Sequence, residues 1–129
     1  MTVLVDTSAI VALLDPSDRR GVDARSWLVE HAATPLITHN YVLAECFAVL
    51  ERRFGRTSVV DLRDTVLPVL EVVWVDPDQH ELAFDAHLAA SRQSSFVDQV
   101  TFQVMRDERI GTAFALDGDF ARAGFITVP

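Results

Sequence analysis

Four carboxylates, Asp6, Glu45, Asp98 and Asp117, are spread along the chain at positions from which a fold can draw them together. Asp6 closes the apolar run Thr2–Val5, and Asp117 follows Thr112–Leu116, so each lies just beyond a segment that reads as a strand. In open parallel sheets ligands bind outside the carboxyl ends of the strands, which makes both of them site candidates. Each also has an ordinary structural use. Asp6 suits the N-cap of the next helix, and Asp117 forms an Asp-Gly turn with Gly118. Asp98 ends Ser95-Phe96-Val97-Asp98, the spacing of a capping box, which puts it in a helix's first turn where backbone amides favour an anion. Glu45 is mid-helix between Ala44 and Cys46 among mainly apolar neighbours, and equally suits a solvated face. Three or four carboxylates form the oxygen-only donor set that a hard divalent cation such as Mg²⁺ or Mn²⁺ requires. Asp76, Asp78 and Asp119 also follow strands, so the number of acids does not by itself say which of them converge.

Other chemistries are poorly supplied. His31, His39, His80 and His87 have neither a zinc-protease spacing nor an accompanying cysteine set, and read as surface or structural residues. Cys46 is the one cysteine, set among Leu43, Phe47 and Leu50, and reads as a buried thiol. A disulfide within the chain is therefore excluded.

Short apolar segments alternate with helical patterns. Thr2–Val5 is a strand that stops at the cap formers Asp6-Thr7-Ser8, and a helix then runs to Leu14 and ends in the turn Asp15-Pro16-Ser17. A second helix spans Asp18–His31, with Val22, Trp27 and Leu28 as its apolar side, and Pro35–Thr38 is the second strand. Asn40 can cap a helix to Phe54, on which Leu43, Phe47, Leu50 and Phe54 recur at helical spacing before Gly55 stops it. Thr57–Leu70 reads as helix interrupted by Pro68, and Val72–Val75 as the third strand. Asp76-Pro77-Asp78 opens a helix to Ala90, a polar loop covers Ser91–Ser94, and Phe96–Glu108 is helical. A strand at Thr112–Leu116, a turn at Asp119–Ala123 and a strand at Phe125–Val128 complete the pattern. Strands of this kind predict a three-layer α/β/α sandwich around a parallel sheet of about five strands.

A half-apolar chain of 129 residues suits one compact domain. Acidic residues outnumber basic ones 19 to 11, giving a net charge of −8. That balance argues against a broad basic surface gripping many phosphates, so any nucleic-acid chemistry must be local or cation-assisted. Asp6 and Asp15 break the opening apolar stretches, so no signal peptide is expected, and no run approaches the ~20 residues that span a bilayer. The expectation is a cytoplasmic protein without a membrane partner. All eleven basic residues are arginine.

The motifs Val5-Asp6-Thr7-Ser8, Asn40-Tyr41-Val42-Leu43-Ala44-Glu45, Ser95-Phe96-Val97-Asp98-Gln99, Ala115-Leu116-Asp117-Gly118-Asp119-Phe120 and Ala123-Gly124-Phe125 resemble, in order and spacing, the PIN-domain family. The likeness is to its small VapC-type toxins and covers essentially the whole chain. It implies an acidic pocket of Asp6, Glu45, Asp98 and Asp117, with Asp6 and Asp98 the surest ligands of Mg²⁺ or Mn²⁺. Thr7 or Ser8 would supply a hydroxyl beside the first aspartate, Asn40 would support the pocket, and Asp119 is an ambiguous further acid. The implied activity is hydrolysis of RNA phosphodiester bonds by a toxin that a small antitoxin neutralises, commonly as a homodimer. Arg19, Arg20, Arg92 and Arg122 lie near these segments and are candidate RNA contacts, though they also suit solvated surface. Two other readings compete: an inactive PIN-like module that only binds protein, and a magnesium-binding phosphoacceptor domain. The latter family uses a lysine after its last strand, and this chain has none.

Overall fold

Strands that are apolar on both faces must be covered on both sides, and that requirement sets the architecture. In a computed structural model that describes residues 1–90 and 94–129, five strands form one parallel sheet. They are β1 (Val3–Val5), β2 (Leu36–His39), β3 (Glu71–Val73), β4 (Thr112–Phe114) and β5 (Ile126–Val128), in the order β3-β2-β1-β4-β5. Both central strands, β1 and β4, are buried throughout, whereas the edge strands β3 and β5 are partly exposed.

On one face Val3, Val5 and Phe114 pack with Ile10, Trp27, Val42, Cys46 and Leu50. These come from α1 (Thr7–Leu14), α2 (Arg20–Glu30) and α3 (Asn40–Phe54). On the other face Leu4, Ile37 and Ala113 meet Phe102, Met105 and Phe120 from α6 (Phe96–Asp107) and α7 (Asp119–Arg122). Helix α5 (Pro77–Ala89) lies against α6 through Ala83, Val100 and Val104. Gly21 is required where α2 crosses α1, because a Cβ there would run into the carbonyl oxygen of Ala12. The three-layer sandwich expected from the strand pattern is thus present.

Several local expectations are corrected. Of the expected apolar side of α2, Trp27 and Leu28 pack inward, joined by Ala24, whereas Val22 is exposed. On α3 the buried stripe is Val42, Cys46 and Leu50, while Phe47 and Phe54 face outward. The cap of α3 is His39, whose Nδ1 accepts the N–H groups of Tyr41 and Val42 at 3.2 and 3.4 Å. Asn40 is therefore not the cap; its Oδ1 accepts the Val75 N–H at 2.8 Å. That contact holds Val75 outside β3, which starts one residue before the expected Val72 and stops at Val73. The helix expected over Thr57–Leu70 is regular only in α4 (Arg56–Asp61), then widens into a π turn at Leu62–Val66 and tightens to a 3₁₀ turn at Leu67–Val69 around Pro68. Gly55 ends α3 at φ 82°, as its position predicts. Of the loop expected at Ser91–Ser94, residues 91–93 lie outside the described residues.

Candidate active site

From β1 the chain moves outward through β2 to β3, then crosses back to β4 on the other side of β1. The sheet's switch point is therefore between β1 and β4, the place where open α/β sheets leave a crevice at their carboxyl ends. Asp6 leaves β1 there and caps α1. Its Oδ2 accepts the Ser8 hydroxyl at 2.8 Å and the Ser8 N–H at 3.2 Å. The same Ser8 hydroxyl oxygen accepts the Leu116 N–H at 3.0 Å, tying the end of β1 to the segment that carries Asp117. Ser8 is thus the hydroxyl beside the first aspartate. Thr7 Oγ1 is buried with no hydrogen-bond partner among the described residues, near the Cys46 thiol.

Asp98 enters from the other layer. It occupies the third position of α6, where Ser95 Oγ accepts its N–H at 3.1 Å and its Oδ2 accepts the Ser95 N–H at 3.2 Å. Both halves of the expected capping box are made. Helix α6 is held to β2 by a relay in which neutral His39, its Nδ1 used as the α3 cap, donates from Nε2 to Thr101 Oγ1 at 2.7 Å. Thr101 in turn donates to the Val97 carbonyl at 3.0 Å.

The acids sense one another. Burial raises Asp6 from 3.8 to about 6, against the pull of its Ser8 hydrogen bonds, and the charge of Asp117 adds to the rise. Burial likewise raises Asp98 to about 7, reinforced by the charges of Asp6 and Asp117 and by a proton-sharing contact with Asp119. Asp117 Oδ1 accepts the Asp119 N–H at 3.1 Å, and Asp119 is paired with Arg122. Four of the sequence candidates, Asp6, Asp98, Asp117 and Asp119, therefore gather at the switch point. Glu45 lies at the rim: with Asn40, Tyr41, Ala44 and Val97 it lines a cavity of about 590 Å³, and it acts together with Asp6 on Cys46. Burial, with those charges behind it, pushes the Cys46 thiol up to about 12, which makes it an inert part of the floor.

Among the described residues no three His, Cys, Asp or Glu side chains already close round one point as a finished metal cage. The chemistry of the gathered donors nevertheless fits a hard cation: they are all carboxylate oxygens, the donor type that Mg²⁺ or Mn²⁺ takes.

The candidate arginines separate. Arg20 pairs with Asp18 at 2.9 Å, and its guanidinium, stabilised first by Asp18, also feels Asp117. Arg19 is exposed just before α2. Arg122 lines a cavity of about 280 Å³ beside Asp119 together with Arg106, which sequence reasoning did not single out. Arg106 follows Asp98 by two helical turns, and that spacing was the available signal. Arg92 lies outside the described residues.

Comparison with known proteins follows the same lines. A family model described as PIN domain matches residues 3–126. The chain is 38% identical over 131 residues to the 23S rRNA-specific endonuclease VapC20 of Mycobacterium tuberculosis, covering 98% of this chain and 97% of that protein. The crystal structure of that VapC20, described as a sarcin–ricin loop cleaving toxin, superposes with a TM-score of 0.85 over 98% of each chain at 37% identity. VapBC2 of Rickettsia felis, solved with a DNA fragment from its promoter, has the same fold at 16% identity, with a TM-score of 0.75 over 99% of this chain and 98% of that one.

Proposed function

The chain belongs to the PIN-domain family, and from that premise we propose that it is an endoribonuclease that hydrolyses the sarcin–ricin loop of 23S rRNA with the help of Mg²⁺ or Mn²⁺. The observation that carries this reading is the meeting of Asp6, Asp98 and Asp117 at the switch point of the sheet, in a chain similar throughout its length to a ribosomal-RNA endonuclease. Asp6 and Asp98 are the proposed principal ligands of the cation, with Asp117, Asp119 and Glu45 completing its surroundings. When bound, the cation supplies a water of lowered pKa and offsets the charge that develops on the phosphoryl oxygens.

The chain's own residues supply position and proton handling. Ser8 fixes one oxygen of Asp6, and the Ser95 N–H fixes one oxygen of Asp98. Asp117 and Glu45, at the more open side, orient the attacking water and accept its proton. Arg20, Arg106 and Arg122 hold the backbone phosphates on either side of the cut, a grip of the few local contacts that a chain of net charge −8 permits. The nucleophile is water and not the ribose 2′-hydroxyl, so the products carry 5′-phosphate and 3′-hydroxyl ends.

The biological role that goes with this activity is that of a toxin. Its proposed partner is a small antitoxin whose segment enters the same groove and sets an arginine against the carboxylates in place of the cation; the proposed assembly is a homodimer. A synthetic sarcin–ricin hairpin incubated with the protein in Mn²⁺ or in EDTA tests the catalytic reading. Cleavage in Mn²⁺ alone, with the stated end groups, is expected. An intact hairpin under both conditions would leave the chain as a protein-binding module, and cyclic 2′,3′-phosphate ends would assign the chemistry to another site.

A further inference from the structure

The open depression beside Glu45 differs in character from the gathered carboxylates. Its walls are Asn40, Tyr41, Ala44 and Val97, and Val97 immediately precedes Asp98. Its one charged lining group is Glu45, so it repels a phosphate, and what it can accept is the uncharged part of a nucleotide. Tyr41 is the aromatic wall, and it is held rigidly. Its hydroxyl oxygen lies 2.6 Å from His80 Nδ1, and its N–H donates to His39. Its ring stands edge-on to His39 and His80 and is tilted against Phe96, with centroids 5.9–6.1 Å away. Asn40 is also oriented: its Oδ1 is committed to the Val75 N–H, so the group it can offer a ligand is the Nδ2 donor, five residues before the Glu45 acceptor on the same helix.

An immobilised aromatic ring with a donor and an acceptor at its margin is how proteins take up an unstacked base of single-stranded RNA. We infer that this cavity receives the nucleobase next to the scissile phosphate, stacked on Tyr41, and so sets which bond reaches the acids. This rests on the nuclease reading given above and adds a base-binding subsite to it.

Steady-state cleavage of the sarcin–ricin hairpin in Mn²⁺ by wild type, Tyr41→Phe and Tyr41→Leu tests it, with each protein also given hairpins made abasic in turn at the nucleotides flanking the cut. Tyr41→Phe keeps the ring and is expected within about twofold of wild type, whereas Tyr41→Leu raises KM about tenfold with kcat little changed, the scale of one lost stacking contact. At one flanking position the abasic hairpin should raise the wild-type KM by a similar factor, and on that RNA Tyr41→Leu should add nothing. The wild-type measurement on abasic RNA needs no variant to fold. A Tyr41→Leu enzyme with wild-type KM overturns the inference, also where it has lost its hold on an antitoxin, since the cavity then serves a protein side chain. So does a penalty that persists on every abasic hairpin. A wild type that cuts no RNA sinks the nuclease reading and this subsite together, while normal cutting indifferent to Tyr41 sinks the subsite alone.

Discussion

Asp98 and Ser95 hold each other reciprocally, Asp98 Oδ2 accepting the Ser95 N–H and Ser95 Oγ accepting the Asp98 N–H. A proposed cation ligand is thereby also half of its own helix cap. An asparagine at 98 keeps an acceptor for the cap and gives up only the charge, worth about 0.3–1 kcal/mol near a helix N-terminus. It also relieves the cost of burying the charge, the first cause of the raised carboxyl, and with it the repulsion from Asp6 and Asp117; together these outweigh the Ser95 contribution. Asp98→Asn is therefore expected to melt at or above wild type in EDTA and to cleave RNA slower by about three orders of magnitude or more. Mn²⁺ should raise the melting temperature of wild type clearly and of the variant little, by linkage. A variant that melts lower in EDTA yet gains as much from Mn²⁺ would reduce Asp98 to a structural cap.

Asp6 gives the cation-free fold a definite pH dependence. With its carboxyl held at about 6, the folded chain keeps a proton that the unfolded chain sheds above 3.8. The folded state binds more protons in that window, so stability falls as pH rises from about 4 to about 6 and stays low above it. The shift of about 2 units corresponds to about 3 kcal/mol at most. Asp98, held at about 7, extends the slope in the same direction. Urea unfolding in EDTA across this range should show a steeper loss in wild type than in Asp6→Asn, and equal slopes would contradict the burial argument.

His39 works in the opposite sense. Burial lowers it from 6.5 to about 4, so the folded chain stays neutral where the unfolded chain takes up a proton, and stability is lost as pH falls through that range. His39→Gln removes the titration together with part of the cap and of the relay to Thr101. It should be less stable at neutral pH by about 1–3 kcal/mol, yet lose less than wild type on acidification to about pH 4.5. Denaturation at the two pH values decides the matter; an unchanged acid sensitivity would remove His39 from the account.

Asp15 is an internal control, a buried acid outside the crevice. Its Oδ1 accepts the hydroxyl and N–H of Ser17 at 2.7 and 2.9 Å, and its Oδ2 faces Arg53 at 3.2 Å. The Ser17 hydrogen bonds, with Arg53 behind them, hold it below the usual carboxylate range. Asp15→Ala should lower the melting temperature by roughly 5 °C and leave the cleavage rate per folded molecule unchanged. A loss of rate comparable to that of Asp98→Asn would widen the catalytic set beyond the switch point.

The strand ends were readable in the sequence because they carry two signals at once: an apolar run that stops, and a cap former that follows. Asp6 and Ser95-Phe96-Val97-Asp98 are legible for that reason, and cap and site coincide in both. Helix faces were harder. On α3 the sets Phe47/Phe54 and Cys46/Leu50 are both apolar and differ by a small rotation of the helix, which only packing against Phe114 and Ile10 resolves. The choice between Thr7 and Ser8 depends on which hydroxyl meets Leu116, and the cap of α3 on His39 being neutral and buried. Tyr41 is legible only as part of Asn40-Tyr41-Val42-Leu43-Ala44-Glu45, because the contacts that hold its ring come from His80 and Phe96, far away in sequence.

The bond from Leu116 to Ser8 spans 108 residues of chain. An emerging polypeptide therefore carries Asp6 and its serine long before the segment that closes the crevice has been made, and it lacks Asp117 altogether until β4 is finished. Contacts of such separation form late, after the long intervening loop has been ordered. The centre of the proposed nuclease is therefore assembled only once residues 112–117 have been made and β4 has taken its place beside β1.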